Sequence, residues 1–430
     1  LLEEVPRQQE LDEESGVHRV QTSESLVTLE EGTGLVHAAT GHGQEDYQEA
    51  KPLGLPVFSP VDDDGNYTEE AGVYEGEYVH EVNERIAADL EEKNLLLLSY
   101  GFEHEYPHCW RCESKLVLRA TPQWFIRNEE TKQRMLEENQ EVDWLPESAR
   151  TRFANFVENS PDWCISRQNY WGTPLPIWVN DETGEHRVIG SFDELEDRVG
   201  ELPDDFDPHK HQADELTWED EDGTWRRVPD VMDVWFDSGS APFASLHYPF
   251  EEEPFESIFP MDFITESSDQ IRGWFYTTMF CGILGFDQRQ YDQVLFQSHV
   301  LRADGGKMSK SSGSTIHPDD QVEKYGADLP RFYSLRIAPP WENTKYNENE
   351  IENEIFRLFN TYYNTHQFHQ TYADSDTERP EELDPEDRWI LSRLNRMLAE
   401  FPGLYDEGKT HRIARSLEDF ILEDLSRWYV

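Results

Sequence analysis

Lys307-Met308-Ser309-Lys310-Ser311 sets two lysines three residues apart among hydroxyls, with Asp304-Gly305-Gly306 before it and Ser312-Gly313 after. Ammonium groups on flexible stems can meet a polyphosphate as mobile point charges, and the glycines let the backbone close around such a ligand. An ordinary solvated turn has a similar composition, so the pentad alone leaves both readings open. A second candidate is Glu266-Ser267-Ser268-Asp269-Gln270-Ile271-Arg272-Gly273-Trp274-Phe275. It follows a short apolar run and opens a helical pattern, so free N–H donors and carboxylates share one turn. Glu266 or Asp269 suits an amino group and Asp269 or Gln270 a ribose; a capping turn with both side chains solvated is the alternative. Trp235, within Asp233-Val234-Trp235-Phe236-Asp237-Ser238-Gly239-Ser240, and Trp274 are either core residues or the walls of an apolar pocket.

Cys109-Trp110-Arg111-Cys112 has the spacing of half a tetrahedral zinc site. His104 or His108 stands near enough in sequence to contribute, but a cysteine pair upstream is the expected completion. A redox pair is the rival, weakened by the lack of a thioredoxin-like βαβ pattern; plain core cysteines also stay open. In Gly41-His42-Gly43-Gln44-Glu45-Asp46-Tyr47 the Asp46 carboxylate follows a glycine-rich turn, where it suits an ammonium ligand or caps the turn.

These residues need elements to hold them. From about Thr22 to Val82, short apolar runs such as Leu26-Val27-Thr28-Leu29 and Gly54-Leu55-Pro56-Val57-Phe58 alternate with turn signals, which predicts a β-rich domain, a closed or curled barrel. Asn83 to Leu98 reads as a helix followed by an apolar run. From about 100 to 340 strands and helices mix. Asp262-Phe263-Ile264-Thr265 leads into a helix around Gln270 to Gly282, and Gln293-Val294-Leu295-Phe296 is a buried strand, the doubly wound α/β pattern. The acidic stretch Glu194 to Asp222 reads as a surface insertion. Beyond residue 342 apolar residues fall at helical spacing: Ile351, Ile355, Leu358 and Phe359, then Leu391, Leu394, Met397 and Leu398, then Leu417, Ile421 and Leu425. A helical bundle is expected there.

Asp233 to Ser240, Glu266 to Phe275, Lys307 to Ser311 and Trp163-Cys164-Ile165-Ser166-Arg167-Gln168-Asn169-Tyr170-Trp171-Gly172-Thr173-Pro174 together resemble class I aminoacyl-tRNA synthetases of the isoleucyl branch, in that family's order and over essentially all 430 residues. A valyl relative would carry Trp-Trp-Gly-His near Trp171. The resemblance implies the C-terminal half of a class I Rossmann-like nucleotide-binding fold. Residues 1–100 would be part of a β-rich editing domain, 101–340 the catalytic domain with its zinc segment and insertion, and 341–430 the start of a helical anticodon-binding domain. It implies that Lys307, Met308, Ser309, Lys310 and Ser311 bind the phosphates of ATP with Mg2+, with the two lysines stabilising the leaving pyrophosphate and His299 lining the nucleotide site. Glu266, Asp269 and Gln270 would hold the aminoacyl-adenylate, and Trp235 and Trp274 would wall the isoleucine pocket. Asp46 would anchor the α-amino group of a mischarged ester for editing. Cys109 and Cys112 would share Zn2+ with an upstream pair. Isoleucine tRNA, L-isoleucine and ATP are the implied partners. The two-histidine motif and the threonine-rich editing element of the family are not found in these residues, so the 430-residue piece is expected to be an inactive internal excerpt. A valyl-specific ligase and a non-catalytic tRNA-binding paralogue are the alternatives.

Charge sets this chain apart. Asp and Glu total 90 against 37 Lys and Arg, a formal net charge of -53, and the basic residues comprise 10 Lys and 27 Arg. The acids are spread over the whole length, which suits a solvated acidic skin on folded domains more than a disordered tail. Such a surface repels itself and nucleic acid at ordinary ionic strength, whereas molar salt shortens the Debye length to about 3 Å. A halophilic protein working in high intracellular salt is therefore expected, although an acidic protein with small or cationic partners has the same composition. The lack of a basic stripe then says little against a tRNA partner. No long apolar span or charged leader is seen and cysteines are few, so a soluble, cytoplasmic monomer without a membrane partner is expected. If the acidic skin is a salt adaptation, Tm rises as KCl goes from low to multimolar in a melting series; a flat or falling Tm would contradict it.

Overall fold

The chain divides into two compact units, Leu1–Gln123 and Trp124–Val430. The structure, a computed structural model, describes residues 5–15, 17–23, 26–27, 34–101, 103–109, 112–308, 315–373 and 382–430. In the first unit the described residues form helices α1 (Pro6–Ser15), α2 (Gln44–Ala50) and α3 (Asn83–Glu92) with two 3-10 turns, Lys51–Leu53 and Glu69–Tyr74. A small core of Ala71, Tyr74 and Val82 is packed by Val5, Tyr67 and Ile86. Among the described residues of this unit the expected closed or curled β-barrel is not formed: they hold only the single bridges Val61 to Tyr67, Asn66 to Tyr78 and His108 to Lys115, and Thr28 and Leu29 of the predicted run Leu26–Leu29 lie outside the described residues. The apolar runs are too short to bury an alternating face, and Pro52, Pro56 and Pro60 each remove a ladder donor. Leu35, Val36 and Val57 accordingly stay exposed. The helix expected after Asn83 is present as α3.

The second unit starts with β1 (Phe125–Ile126), α4 (Glu129–Glu141), β2 (Asp143–Leu145), α5 (Ser148–Asn159), β3 (Trp163–Cys164) and β4 (Ser166–Arg167). A small antiparallel sheet follows in the spatial order β6-β5-β8-β7, from β5 (Ile177–Asn180), β6 (His186–Val188), β7 (Thr217–Asp220) and β8 (Gly223–Arg227). Helices α6 (Phe192–Val199) and α7 (Lys210–Ala213) lie between β6 and β7. The acidic stretch is thus more than a loop. Trp178, Trp218, Trp225, Ile189 and Leu195 give it a core of its own, with the Trp218 and Trp225 rings stacked at 5.6 Å.

β9 (Val231–Met232), α8 (Val234–Ala244) and α9 (Glu252–Ile258) lead to the central pair, β10 (Met261–Ser267) and, after α10 (Trp274–Phe286), β11 (Tyr291–Gln297). The main sheet runs β10-β11-β2, all parallel, as the α/β expectation requires. Helices α4, α5 and α10 cover it through Met135, Phe153, Phe275 and Met279, which meet Trp144 and Tyr291 from the strands. Every residue from Phe275 to Ile283 is buried, so α10 is a core helix apolar on all sides. Its closest neighbour is α8 at Gly239, where a Cβ would come within 2.8 Å of the Thr277 carbonyl oxygen. Only a glycine lets the two helices meet there.

The chain continues through β12 (Val300–Leu301), α11 (Pro318–Tyr325), α12 (Asp328–Arg336), β13 (Thr344–Lys345), α13 (Glu348–Glu350), a π-turn at Ile351–Ile355, α14 (Phe356–Tyr372), α15 (Pro385–Asp406), α16 (Thr410–Asp419) and a second π segment, Phe420–Tyr429. The expected bundle is present. Ile351, Ile355, Leu358 and Met397 are buried as their spacing predicts, but α15 also buries Ile390 while Leu391 and Leu398 remain exposed. Arg336 ties the bundle together by pairing with Glu418 at 2.5 Å and Glu354 at 2.9 Å. Among the described residues no helix is long and apolar enough to cross a membrane.

Candidate functional site

Parallel pairing of β10 with β11 puts their C-terminal ends on one edge, with Glu266 opposite Phe296 and Ser267 opposite Gln297. In an open parallel sheet this edge is where ligands bind. Directly after β10, Ser268–Arg272 makes a tight 3-10 turn that leads into α10. The Ser267 hydroxyl donates to Asp269 and holds that carboxyl below its ordinary range, with desolvation opposing and the nearby His299 helping. His299 follows β11, and its N–H donates to Asn343 Oδ1 at 3.1 Å. The structure therefore brings Asp269 and His299, 30 residues apart, to one edge.

Gln270 bridges the turn and the helix. Its Nε2 donates to Asp269 Oδ2 at 3.1 Å and its Oε1 accepts the Trp274 backbone N–H at 2.9 Å, filling one of the donors that the start of α10 leaves free. A Cβ at Gly273 would lie 2.6 Å from Gln270 Oε1 and 3.1 Å from the Trp235 ring, so any larger residue would displace the Gln270 amide and press on Trp235. Trp274 Nε1 donates to the Ser238 carbonyl at 2.9 Å. Trp235 is 39% exposed and Trp274 half-buried, so each ring keeps some face for a ligand. Glu266 is exposed at the strand end.

The α8 end of this group is held by Asp233, which is only 3% exposed. Its Oδ1 accepts the Trp235 backbone N–H at 3.2 Å; its Oδ2 accepts Trp163 Nε1 at 3.0 Å and the Arg167 guanidinium at 2.7 Å. Arg167 also donates to the Cys164 carbonyl at 2.9 Å and the Ser166 carbonyl at 2.8 Å. One turn on, the Thr173 hydroxyl donates to Asp237 Oδ1 at 3.0 Å. Arg167 ends β4 and Thr173 lies in the segment between β4 and β5, so that stretch and α8 are locked together beside Trp235. Asp233, Arg167 and Gly273 were not among the predicted site residues. Aspartate directly before Val234-Trp235-Phe236 is the N-cap signal that points to the first of them.

Lys307 is exposed, Met308 half-buried, and Ser309, Lys310 and Ser311 lie outside the described residues. Before the pentad, Arg302 pairs with Asp304, and Asp304 Oδ1 accepts the Gly306 N–H at 2.9 Å. Gly305 has φ +88°, a left-handed position that suits glycine.

Asp46, Cys109 and Cys112 belong to the first unit. Asp46 Oδ2 accepts the Ala39 N–H at 3.1 Å, the turn-capping role. Cys109 N–H donates to the Ser114 carbonyl at 2.8 Å, and Glu113 N–H to the Cys109 carbonyl at 2.8 Å, closing a tight loop that carries both thiols. Neither cysteine is in a disulfide. The Ser114 hydroxyl, 3.0 Å from Cys112 Sγ, is the main reason that thiol is lowered to about 7, with Cys109 adding to it. Thiolate is the form that binds zinc, so the pair fits half a zinc site. Among the described residues no cluster of three or more potential ligands forms a complete one.

A parallel sheet whose strand ends bring together an acidic turn and a histidine has the ligand-edge arrangement of Rossmann-like enzymes. Residues 17–346 match the family model for tRNA synthetases class I (I, L, M and V), and residues 387–430 match that for the anticodon-binding domain of tRNA ligase. The chain belongs to the class I tRNA synthetases of that group. It is 46% identical to an isoleucine–tRNA ligase of Methanopyrus kandleri and 45% identical to one of Methanothermobacter thermautotrophicus, in each case along 100% of this chain and 42% of the relative. The chain thus spans about two fifths of the curated relatives it matches. Methionyl-tRNA synthetase of Mycobacterium tuberculosis, solved with methionyl-adenylate, shares the fold at 19% identity with a TM-score of 0.52, over 74% of this chain and 54% of that one.

Asp233→Ala removes the acceptor of both the half-exposed Arg167 guanidinium and Trp163 Nε1. Urea unfolding is expected to show a loss of about 1–2 kcal/mol, and Asp233→Asn a smaller one; equal stability of both variants and the parent would contradict the anchoring role.

Proposed function

We propose that the full-length protein joins L-isoleucine to isoleucine tRNA through an isoleucyl-adenylate, using ATP with Mg2+. The carrying observation is identity of 42–46% along all of this chain to isoleucine–tRNA ligases. In the first step an isoleucine carboxylate oxygen attacks the α-phosphorus of ATP, and the bond to pyrophosphate breaks. In the second, a ribose hydroxyl of the tRNA attacks the carbonyl and AMP leaves. Lys307 and Lys310, with Met308, Ser309 and Ser311, meet the phosphates and offset charge on the leaving pyrophosphate, which is electrostatic positioning and not covalent catalysis. Glu266, Asp269 and Gln270 hold the adenylate, His299 lines the nucleotide site, and Trp235 and Trp274 wall the side-chain pocket.

Residues 1–100 are proposed as part of an editing domain in which Asp46 receives the ammonium of mischarged valyl-tRNA. An apolar pocket rejects a side chain one methylene shorter by only about 1–3 kcal/mol, the isoleucine–valine pair being the usual illustration of that limit. Hydrolytic correction follows from that limit. Residues 101–340 carry the catalytic chemistry, and 341–430 begin the anticodon-binding part. Cys109 and Cys112 are proposed as half of a structural Zn2+ site.

Isoleucine-dependent exchange of pyrophosphate into ATP by the full-length protein tests the main reading. Lys307→Ala or Lys310→Ala is expected to cut the exchange by about 100-fold or more while leaving Tm nearly unchanged; exchange driven equally by valine, or untouched by either change, would refute it. For the metal, elemental analysis should give one zinc per full-length chain, lost in Cys109→Ser and Cys112→Ser. Unchanged zinc content in those variants would reject the site.

A further inference from the structure

Leu301 has a lysine on each side. It pairs with Lys345 across the parallel β12–β13 ladder and with Lys307 across an isolated antiparallel bridge. Residues directly paired in a ladder send their side chains to the same face. With strand neighbours about 4.5–5 Å apart, the two lysine Cα atoms stand on the order of 10 Å from each other, a gap that two four-carbon stems can close on one polyphosphate. The backbone around Lys345 is fixed: the Tyr346 N–H donates to the Leu301 carbonyl at 2.9 Å, and the Tyr333 hydroxyl to the Lys345 carbonyl at 3.4 Å.

A second observation places the Lys345 ammonium. A Cβ at Gly305 would lie 3.3 Å from Lys345 Cε and 3.5 Å from its Nζ, so the amine rests against the glycine turn that opens the lysine pentad. A third is chemical. Two lysines here are neutralised, Lys324 by Glu348 at 2.9 Å and Glu352 at 3.1 Å, and Lys409 by Glu407. Among the described residues neither Lys307 nor Lys345 has a carboxylate partner, in a chain with 90 acidic residues. Two uncompensated ammonium groups on one face beside a glycine turn suit an anion from outside.

We propose that Lys345 is a further phosphate-binding residue, acting with Lys307 on the polyphosphate of a nucleoside triphosphate; the proposal rests on the reading of this edge as the ATP site. Neither its position after the pentad nor its neighbours in sequence mark it. Only the register of β13 on β12 brings it there.

Calorimetric titration of the full-length protein with Mg2+-ATP and, separately, with adenosine tests it. Lys345→Ala is expected to weaken Mg2+-ATP about tenfold and leave adenosine unchanged, and Lys345→Arg to stay within about threefold of the parent. Lys345→Met keeps the apolar stem and should behave as the alanine variant does. Unchanged ATP affinity in the alanine and methionine variants, or an equal loss for adenosine, would overturn the proposal. Parent protein that binds ATP but shows no isoleucine-dependent exchange would sink the ligase reading alone, while the variant titrations still decide the role of Lys345. Parent protein that binds no ATP overturns both.

Discussion

Parallel pairing of β10 with β11 is the constraint on which the candidate site depends. It sets both strand ends on one edge, so a turn after the first strand and a histidine after the second become neighbours. The pairing is held by a core that leaves little room for slippage. Phe275, Met279, Tyr291 and Val294 are fully buried, and the Tyr291 hydroxyl donates to the Phe275 carbonyl at 2.9 Å. A register shift of one residue would turn Val294 outward and carry Ser267 away from Gln297. From that fixed edge, Gln270 and Gly273 control how α10 begins, and Trp274 Nε1 on Ser238 couples α10 to α8. Asp233 then connects α8 to Arg167 and Trp163. The site is one continuous chain of contacts, from strand ends to the segment before the small sheet.

Charge is distributed by kind. Arginine takes the structural pairings: Arg167 with Asp233, Arg336 with Glu418 and Glu354, and Arg227, whose buried side chain pairs with Asp214. Its planar, always charged group suits such fixed geometry. Lysine is rarer, and the two lysines flanking Leu301 carry no structural pairing among the described residues. An acidic surface makes any uncompensated cation conspicuous, and these two fall on the same face beside a glycine turn.

Much of this was legible in the residues themselves. The short strand at Asp262–Thr265, the buried strand at Gln293–Phe296 and the helix between them have strong periodicity and no competing signal, and the structure has all three. The motif at Glu266–Phe275 falls on the turn it was expected to occupy. Among the described residues of the first unit, the run Gly54-Leu55-Pro56-Val57-Phe58 looks like a strand but forms none, because strand formation needs partners and a buried face that it lacks. In α15 Met397 is buried as expected, but Ile390 is buried in place of Leu391 and Leu398 stays exposed, because the neighbours that define its inner face are far away in sequence. The same holds for Arg167, Gly273 and Lys345. Each matters through a contact made across the fold, and local pattern carries no trace of it.

The central claim is that this edge, in a family that serves four amino acids, accepts the isoleucyl-adenylate. Titrating the full-length protein with non-hydrolysable isoleucyl-, valyl-, leucyl- and methionyl-adenylate analogues measures that directly. The account predicts tightest binding of the isoleucyl analogue, with a large loss for all four when Gln270 or Trp274 is replaced by alanine. Equal or tighter binding of the leucyl or methionyl analogue, or no loss in those variants, would contradict it.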